Sequence, residues 1–174
     1  TNEEMPELIL FWGHNPLYSS PDGEMGFGVK EALARKPKTI VVDPRETMLA
    51  RRADIWLQLR PGTDDALALA MLNVIIEEDL YDHEFVSEWT HGFDALTERV
   101  KQYTPEWASP ITWCKVDQIR EAARLYATVK PSMLEWGCAI EHTPACFQTV
   151  RALLCLPSIT GNIDHPGSWA FGMT

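Results

Sequence analysis

The sequence predicts an α/β domain built on a parallel β-sheet with helices on both faces. Three observations carry this. Short apolar runs such as "LILFW" (8–12) and "TIVV" (39–42) are continuous rather than alternating, as strands buried on both faces require. A helix-like segment separates them, giving a strand–helix–strand unit with its right-handed crossover. Each run also stops abruptly in turn chemistry, at Gly-His-Asn-Pro, Asp-Pro or Pro-Gly-Thr-Asp.

Taken in order, the first strand is expected in "ELILFWG" (7–13), followed by a helix in "GEMGFGVKEALARK" (23–36) that glycines weaken at its start. A second strand lies in "KTIVVDPR" (38–45) and a third in "DIWLQLRPGTD" (54–64). The segment "DDALALAMLNVIIEEDL" (64–80) is the strongest helix signal. Its acidic start suits the positive end of the helix dipole, and Thr63 or Asp64 is placed to cap it. Apolar residues cover most of its surface, which predicts burial. "HEFVSEWT" (83–90) and "FDALTERVKQYT" (93–104) read as shorter amphipathic helices, with Trp89 and the Trp107 of "TPEW" at helix-packing positions. "SPITWCK" (109–115) reads as a turn-rich connector. "VDQIREAARLYATVK" (116–130) is a helix with Val116, Ile119, Ala123 and Tyr126 on one stripe. "SMLEWGC" (132–138) is a fourth strand, and "ACFQTVRALLCLPSITG" (145–161) a last helix. Residues 1–174 are therefore expected to form one Rossmann-like domain with a helical insertion at about 81–130.

Composition narrows the function. The chain has 174 residues, is 45% hydrophobic and carries a formal net charge of -10. That charge argues against nucleic acid, whose phosphates demand a basic surface. No apolar run reaches the roughly 18–20 residues of a membrane span. No basic segment followed by an apolar one marks a secretory signal, so cytoplasm is favoured slightly over periplasm, any export signal lying upstream. Cys114, Cys138, Cys146 and Cys155 form no CxxC pair, so neither a zinc nor an iron–sulfur site is expected from this chain alone. Cys138, Cys146 and Cys155 lie in apolar stretches and are expected as buried free thiols, not as disulfides. The five histidines are scattered, and no metal site follows from them.

In open parallel sheets, ligands bind beyond the carboxyl ends of the strands. Those ends are Gly13–Ser19, Asp43–Glu46, Pro61–Asp64 and Trp136–His142. The first turn, "WGHNPLYSS", offers backbone amides around Gly13 with Asn15 and Ser19 beside them, a setting that can cradle a pyrophosphate without a cation. It is neither a GxGxxG nor a GxxxxGK[ST] loop, and an ordinary strand-to-helix turn accounts for it equally. Asp43 stands where an acid commonly accepts ribose hydroxyls, or is simply a turn residue beside Pro44. Arg45 can reach a phosphate or pair with a surface acid. Asp64 is the most suggestive carboxylate: guanine presents two adjacent donors, N1–H and the 2-amino group, that two carboxylate oxygens can accept, whereas adenine has no such pair. The plain alternative is a helix cap. At the fourth end, Trp136 is either core or site, and Glu141 either site or the cap of the last helix. Arg51 and Arg52 are expected on a solvated helix face.

The order "WGHNP", "VVDPRETMLARRADIWLQLRPGTDDALALAMLNVIIEEDLYDHEFVSEWTHGF", "YTPEW", "ITWCKVDQIREAARLYA", "TGNIDHPG" resembles the molybdopterin oxidoreductases of the dimethyl sulfoxide reductase family. The resemblance runs from about residue 7 to 167, and the formate dehydrogenase, nitrate reductase and acetylene hydratase members read especially alike. It implies a molybdenum or tungsten ion held between two molybdopterin guanine dinucleotides (MGD), one of which this segment would bind. By that resemblance Trp12, Gly13, His14, Asn15, Pro16 and Ser19 lie against the phosphates. Asp43, Pro44, Arg45 and Glu46 line the ribose and base, and Gly62, Thr63 and Asp64 meet the guanine. Trp136, Gly137 and Glu141 approach the pterin end.

The protein ligand to the metal, and any iron–sulfur cluster, would lie in an N-terminal portion with no counterpart here. The chain therefore reads as an internal domain of an enzyme of anaerobic electron transfer, not catalytic alone. Its partners would be the enzyme's other domains and electron-transfer subunits. Two other readings stand beside it: a scaffold or assembly domain that has lost the cofactor, and a generic NAD- or ATP-binding Rossmann domain. The retained Asn15, Asp43 and Asp64 argue against the first, the missing glycine fingerprint against the second.

Overall fold

A computed structural model describes residues 5–20 and 22–169, with backbone alone at Glu24 and Met25. Among them, β1 (Leu8–Trp12), β2 (Lys38–Val42), β3 (Ile55–Leu57) and β4 (Ser132–Trp136) form one sheet of order β3-β2-β1-β4. Every pairing is parallel. All five residues of β1 are buried, as its continuous apolar run predicts for a central strand. The crossover from β1 to β2 carries α1 (Pro16–Ser19) and α2 (Glu24–Ala34), and that from β2 to β3 carries α3 (Met48–Arg52). After β3 come α4 (Asp64–Glu77), α5 (His83–Trp89), α6 (Phe93–Val100), α7 (Pro105–Thr112) and α8 (Val116–Thr128). Beyond β4 lie α9 (Cys138–Glu141) and α10 (Cys146–Thr160).

The strand pleat divides the core in two. Leu8, Leu10 and Trp12, with Ile40, Val42, Leu57 and Leu134, face a large cluster supplied by α4, α8 and α10. Ile9, Phe11 and Val41 face the other way, onto Val29 and Ala32 of α2 and Leu49 and Ala50 of α3. Helices thus cover both faces. α4 is the hub of the larger layer and packs against α6, α7, α8 and α10. Its near-complete burial is what its unbroken apolar composition predicts.

Several expectations need correcting. The connector at 109–115 is helical up to Thr112, because Thr104 caps Trp107 N–H and Pro105 occupies the first turn, where a missing N–H costs nothing. Trp89 does not pack: it is 75% exposed, and Trp107 is also on the surface, edge-on to Tyr103 at 4.8 Å. Cys138 is exposed and Cys146 and Cys155 half-buried, and only Cys114 of the free thiols is buried. Burial pushes the Cys114 thiol up to about 11, so it is inert at neutral pH. α6 stops at Val100, short of 104, and β3 keeps only three residues of its predicted run. The short helices α1 and α9 were not expected. Arg51 and Arg52 do sit exposed on α3, with Arg51 Nε 3.2 Å from Glu46 Oε2.

Two turns matter below. α7 ends at Trp113, which takes the left-handed conformation (φ 66°) usually given to glycine and costs a side-chain-bearing residue about 1–2 kcal/mol. Asp82 caps α5 through Phe85 N–H (3.0 Å) and also accepts Lys130 Nζ (3.0 Å). Its own N–H donates to Ile159 O (2.8 Å), so one residue joins α5, α10 and the chain entering β4.

The Phe85 amide first, and Lys130 second, hold the Asp82 carboxyl below its ordinary 3.8. A depressed carboxyl contributes stability above its unfolded pKa and loses it as pH falls through the folded one. Asp82→Ala is expected to lower stability at pH 7 by about 1–2 kcal/mol, the usual value of a lost cap, in urea unfolding. The difference from wild type should shrink below about pH 4; a pH-independent difference would show that the charge is not involved.

Candidate functional site

The parallel register brings all four strand ends to one edge. Just past the strands the ladder continues: Gly13 N–H donates to Val42 O (2.8 Å), Asp43 N–H to Leu57 O (3.3 Å) and Gly137 N–H to Trp12 O (3.3 Å). The polar segments that follow are therefore side by side, in the order of the strands.

At the centre, the chain turns at Gly13 (φ 58°), where a side chain would be strained. Gly13 spends its own amide on Val42, so any amide offered by the turn comes from the residues after it. Gly137 packs directly over this turn: a Cβ there would lie 2.8 Å from Gly13 O and 3.1 Å from His14 Cδ2. His14 and Glu135 meet beneath, Nδ1 to Oε1 at 3.0 Å but without hydrogen-bond alignment. Asn15 opens α1 without using its side chain as a cap, and its Oδ1 is buried with no partner among the described residues. Pro16 supplies the first helical residue, and the exposed Ser19 returns its hydroxyl to Asn15 O (3.1 Å).

On the β2 side, Asp43 is 5% exposed and its Oδ1 accepts the Arg45 N–H at 2.8 Å. It is thus a turn-forming acid, with Arg45 Nε 4.0 Å away on an exposed side chain. β3 holds this segment from outside: Trp56 Nε1 donates to Asp43 O (2.9 Å) and Gln58 Nε2 to Pro44 O (3.1 Å). Glu46 is exposed and engaged with Arg51. Past β3, Gly62 turns at φ 80° with open space on its Cβ side, and Thr63 donates its hydroxyl to Arg60 O (2.7 Å).

Asp64 does not cap α4, whose N-cap residue is Thr63. Instead its Oδ1 accepts the indole Nε1–H of Trp12 at 2.9 Å, both residues being buried. Burial pushes the Asp64 carboxyl above its ordinary value, against the lowering effect of the Trp12 hydrogen bond. One oxygen is thus committed inward, and the backbone N–H groups of Gly62 and Asp64 add further support to the ionised form.

At the fourth end Trp136 is half-buried and donates Nε1–H to Glu141 Oε1 (3.2 Å), so Glu141 braces an indole rather than capping α10. Trp169 stacks on Trp136, with ring centroids 5.9 Å apart and planes 24° apart. The sequence reading missed Trp169 and Glu135. Trp169 is distant in sequence from β4, and the inward tilt of Glu135 toward His14 needs the β1–β4 register to be visible. Among the described residues no group of three His, Cys, Asp or Glu is placed to hold a metal, and no helix is long and apolar enough to cross a membrane.

A family description, molybdopterin oxidoreductase, matches residues 2–173. The chain belongs to that family. Membership implies a molybdopterin cofactor carrying molybdenum or tungsten. The chain is 46% identical to acetylene hydratase of Syntrophotalea acetylenica over 134 residues, 77% of this chain and 18% of that protein. It is 39% identical to formate dehydrogenase H of Escherichia coli over 160 residues, 92% of this chain and 22% of the relative. The solved acetylene hydratase from Pelobacter acetylenicus superposes with a TM-score of 0.83 at 42% identity, covering 89% of this chain and 21% of that one. The chain thus spans about a fifth of the length of these relatives.

The residues present fit such a cofactor. Asn15 holds a buried, unpartnered amide oxygen at the first strand end; the amide can accept from an N–H or O–H or, turned over, donate to a phosphate oxygen. Gly62 leaves backbone open to close approach.

The Trp12–Asp64 bond is directly testable. Trp12→Phe leaves a buried carboxylate without its donor and should cost about 1–3 kcal/mol in urea unfolding at pH 7. Because Asp64 has a raised folded pKa, its ionised form is the destabilising one, and protonation relieves it as pH falls through that value. The cost should therefore shrink toward about pH 4. An equal loss at both pH values would assign the effect to packing alone.

Proposed function

We propose that this chain is a binding domain for one molybdopterin guanine dinucleotide within a larger, bis-MGD molybdenum or tungsten oxidoreductase. The observation that carries the reading is the line of polar strand ends along one sheet edge, running from an unpartnered Asn15 amide to a buried Asp64 carboxylate. An elongated ligand with a polar middle and a donor-bearing base matches that line. Family membership supplies the pterin, and the strand ends support the guanine dinucleotide form.

Each segment then has a task. The turn from Gly13 to Ser19 receives the pyrophosphate through its later amides and the side chains of Asn15 and Ser19. The Asp43–Glu46 turn, held rigid by Trp56 and Gln58, lies along the ribose. Asp64, oriented by Trp12, presents its remaining acceptor capacity to the guanine N1–H and 2-amino group. Trp136, fixed between Glu141 and Trp169, walls the pterin end. When bound, the cofactor's metal and dithiolenes supply two-electron chemistry. This domain contributes position, exclusion of water and a fixed base, and no catalytic side chain. The rest of the enzyme, including the protein ligand to the metal, any iron–sulfur cluster and electron-transfer partners, is assigned to segments that the roughly fivefold longer relatives have beyond the matched region.

Ligand-observed NMR of the 174-residue chain titrated with GDP tests this, with ADP and NAD as competitors. Saturable GDP binding that neither displaces is expected, and Asp64→Asn should cut the preference for GDP over ADP about tenfold, the worth of a paired base contact. Because Asn can still accept from Trp12, the variant should keep wild-type stability. A preference for ADP or NAD would overturn the guanine assignment.

A further inference from the structure

The helical layer carries a trough that lies apart from the strand ends. α6 and α10 both pack on α4, and residues of all three line two clefts of about 580 and 500 Å³. Leu96 and Cys155 line both clefts, so the two adjoin as one trough. Its walls follow helical spacing. On α10, Gln148, Ala152, Cys155 and Ile159 recur every three or four residues and form one stripe about 16 Å long. On α6 the same holds for Phe93, Leu96 and Arg99, and Leu69 and Leu72 complete the lining from α4.

The trough is apolar yet wet. Leu69, Phe93, Leu96 and Cys155 are only half-buried, and an exposed tryptophan stands in each half, Trp107 in one and Trp89 in the other. A contiguous apolar surface of this kind marks a contact site rather than a face that meets only water. Its charge is as distinctive. In the Trp107 half, Arg99 lies over Tyr103 at 5.4 Å from the ring centroid, and Arg151 lies over Phe147 at 5.8 Å. Neither guanidinium is within ion-pair distance of a carboxylate among the described residues. Asp65 shares that half, but its Oδ1 accepts the Ala66 N–H (2.8 Å), so two cations stand against one acid in a chain of net charge -10. Arginine and large aromatic rings are also the side chains that dominate the energetics of protein contacts.

We propose that the trough seats an amphipathic helix of about three turns from another part of the same enzyme's chain, with a carboxylate held by Arg99 and Arg151. This rests on the reading above that the chain is one domain of a larger enzyme, and not on which nucleotide that domain binds. Stripes from three helices around one trough suit a fourth helix, whose apolar side chains at three- and four-residue spacing would pack on Leu69, Leu96 and Cys155. Charge selects an acidic guest, because a basic one would meet two unpaired guanidinia. The relatives extend about fivefold beyond the matched length, so further chain is close at hand. A tethered partner needs only a modest contact to stay seated, since its effective concentration is high.

Cys155 reports on occupancy, because its free thiol lines both halves. Iodoacetamide labelling with peptide mass mapping gives its rate in the 174-residue chain and in the complete enzyme that carries this domain. The rate should be about tenfold lower in the enzyme, as for a contact that opens only part of the time. Arg99→Glu with Arg151→Glu sets acid against the guest's carboxylate and should abolish most of that protection, whereas Arg99→Lys with Arg151→Lys should keep it. Taking the ratio of the two rates within each variant cancels the direct effect of Arg151 on the thiol. Equal rates in chain and enzyme would overturn the proposal, and protection that survives the double glutamate variant would overturn the acidic helix. Slow labelling of the 174-residue chain that quickens on dilution would give the trough to a second copy instead. The GDP titration does not involve this face, so saturable GDP binding beside an unprotected Cys155 would overturn this proposal alone.

Discussion

The hydrogen bond from Trp12 to Asp64 is the constraint on which the candidate site depends. Trp12 is the last residue of the central strand and Asp64 the first of the hub helix, 52 positions apart in sequence. A buried indole N–H needs an acceptor, and a buried carboxylate needs a donor. Each satisfies the other, and so the start of α4 is fixed beneath the end of β1. The helix in turn organises α6, α7, α8 and α10, and the loop before it carries Gly62 and Thr63 into the site. The cost of holding a carboxylate there is visible in its raised pKa. A fold seeking stability alone would do as well with an apolar residue, which is in keeping with the ligand role proposed for this acid.

Much of this was legible in the sequence, for physical reasons that differ by element. β1, β2 and α4 were clear because a strand or helix buried on all sides must be apolar throughout, and few other arrangements give such runs. The alignment of the four strand ends followed from the parallel order, and the polar residues at those ends marked the edge to inspect. α7 was hidden by Ser109, Pro110 and the polar tail of its sequence, although Thr104-Pro105 is a good start signal in retrospect. The exposed Trp89 and Trp107 show the limit of periodicity, which places a side chain on a helix face but does not say whether another element covers that face. For Asp64 the guanine role read from its carboxylate is carried forward as a proposal, and its bond to Trp12 was not foreseen. Trp12 was placed beside the phosphates by its motif, whereas its indole turns into the core and reaches across to α4.

Trp113 illustrates the opposite case, in which local chemistry and global fold disagree. A helix that ends in a left-handed residue asks for glycine, and an aromatic there is both strained and wet. Such conflicts are uncommon in natural sequences, because each adds a cost with no structural return. They gather where a ligand or partner supplies the missing contact.

Charge gives the last step. The dinucleotide proposed above is an anion, and the chain carries 25 acidic against 15 basic residues. Association cannot rest on a broad attractive field, so it must come from short-range fit: amides beyond Gly13, the Asn15 side chain and stacking surfaces. Two of the acids nearest the proposed ligand path stand close to a cation, Asp43 to Arg45 and Glu46 to Arg51. Asp43 is tied into its own turn, Glu46 pairs with Arg51, and Asp64 is buried against an indole. Arg60 and Lys115 add positive charge beside Trp113, past the end of β3. An acidic domain can therefore present a locally favourable edge, and its selectivity for guanine would be carried by the one acid that lies beneath that edge, oriented by Trp12.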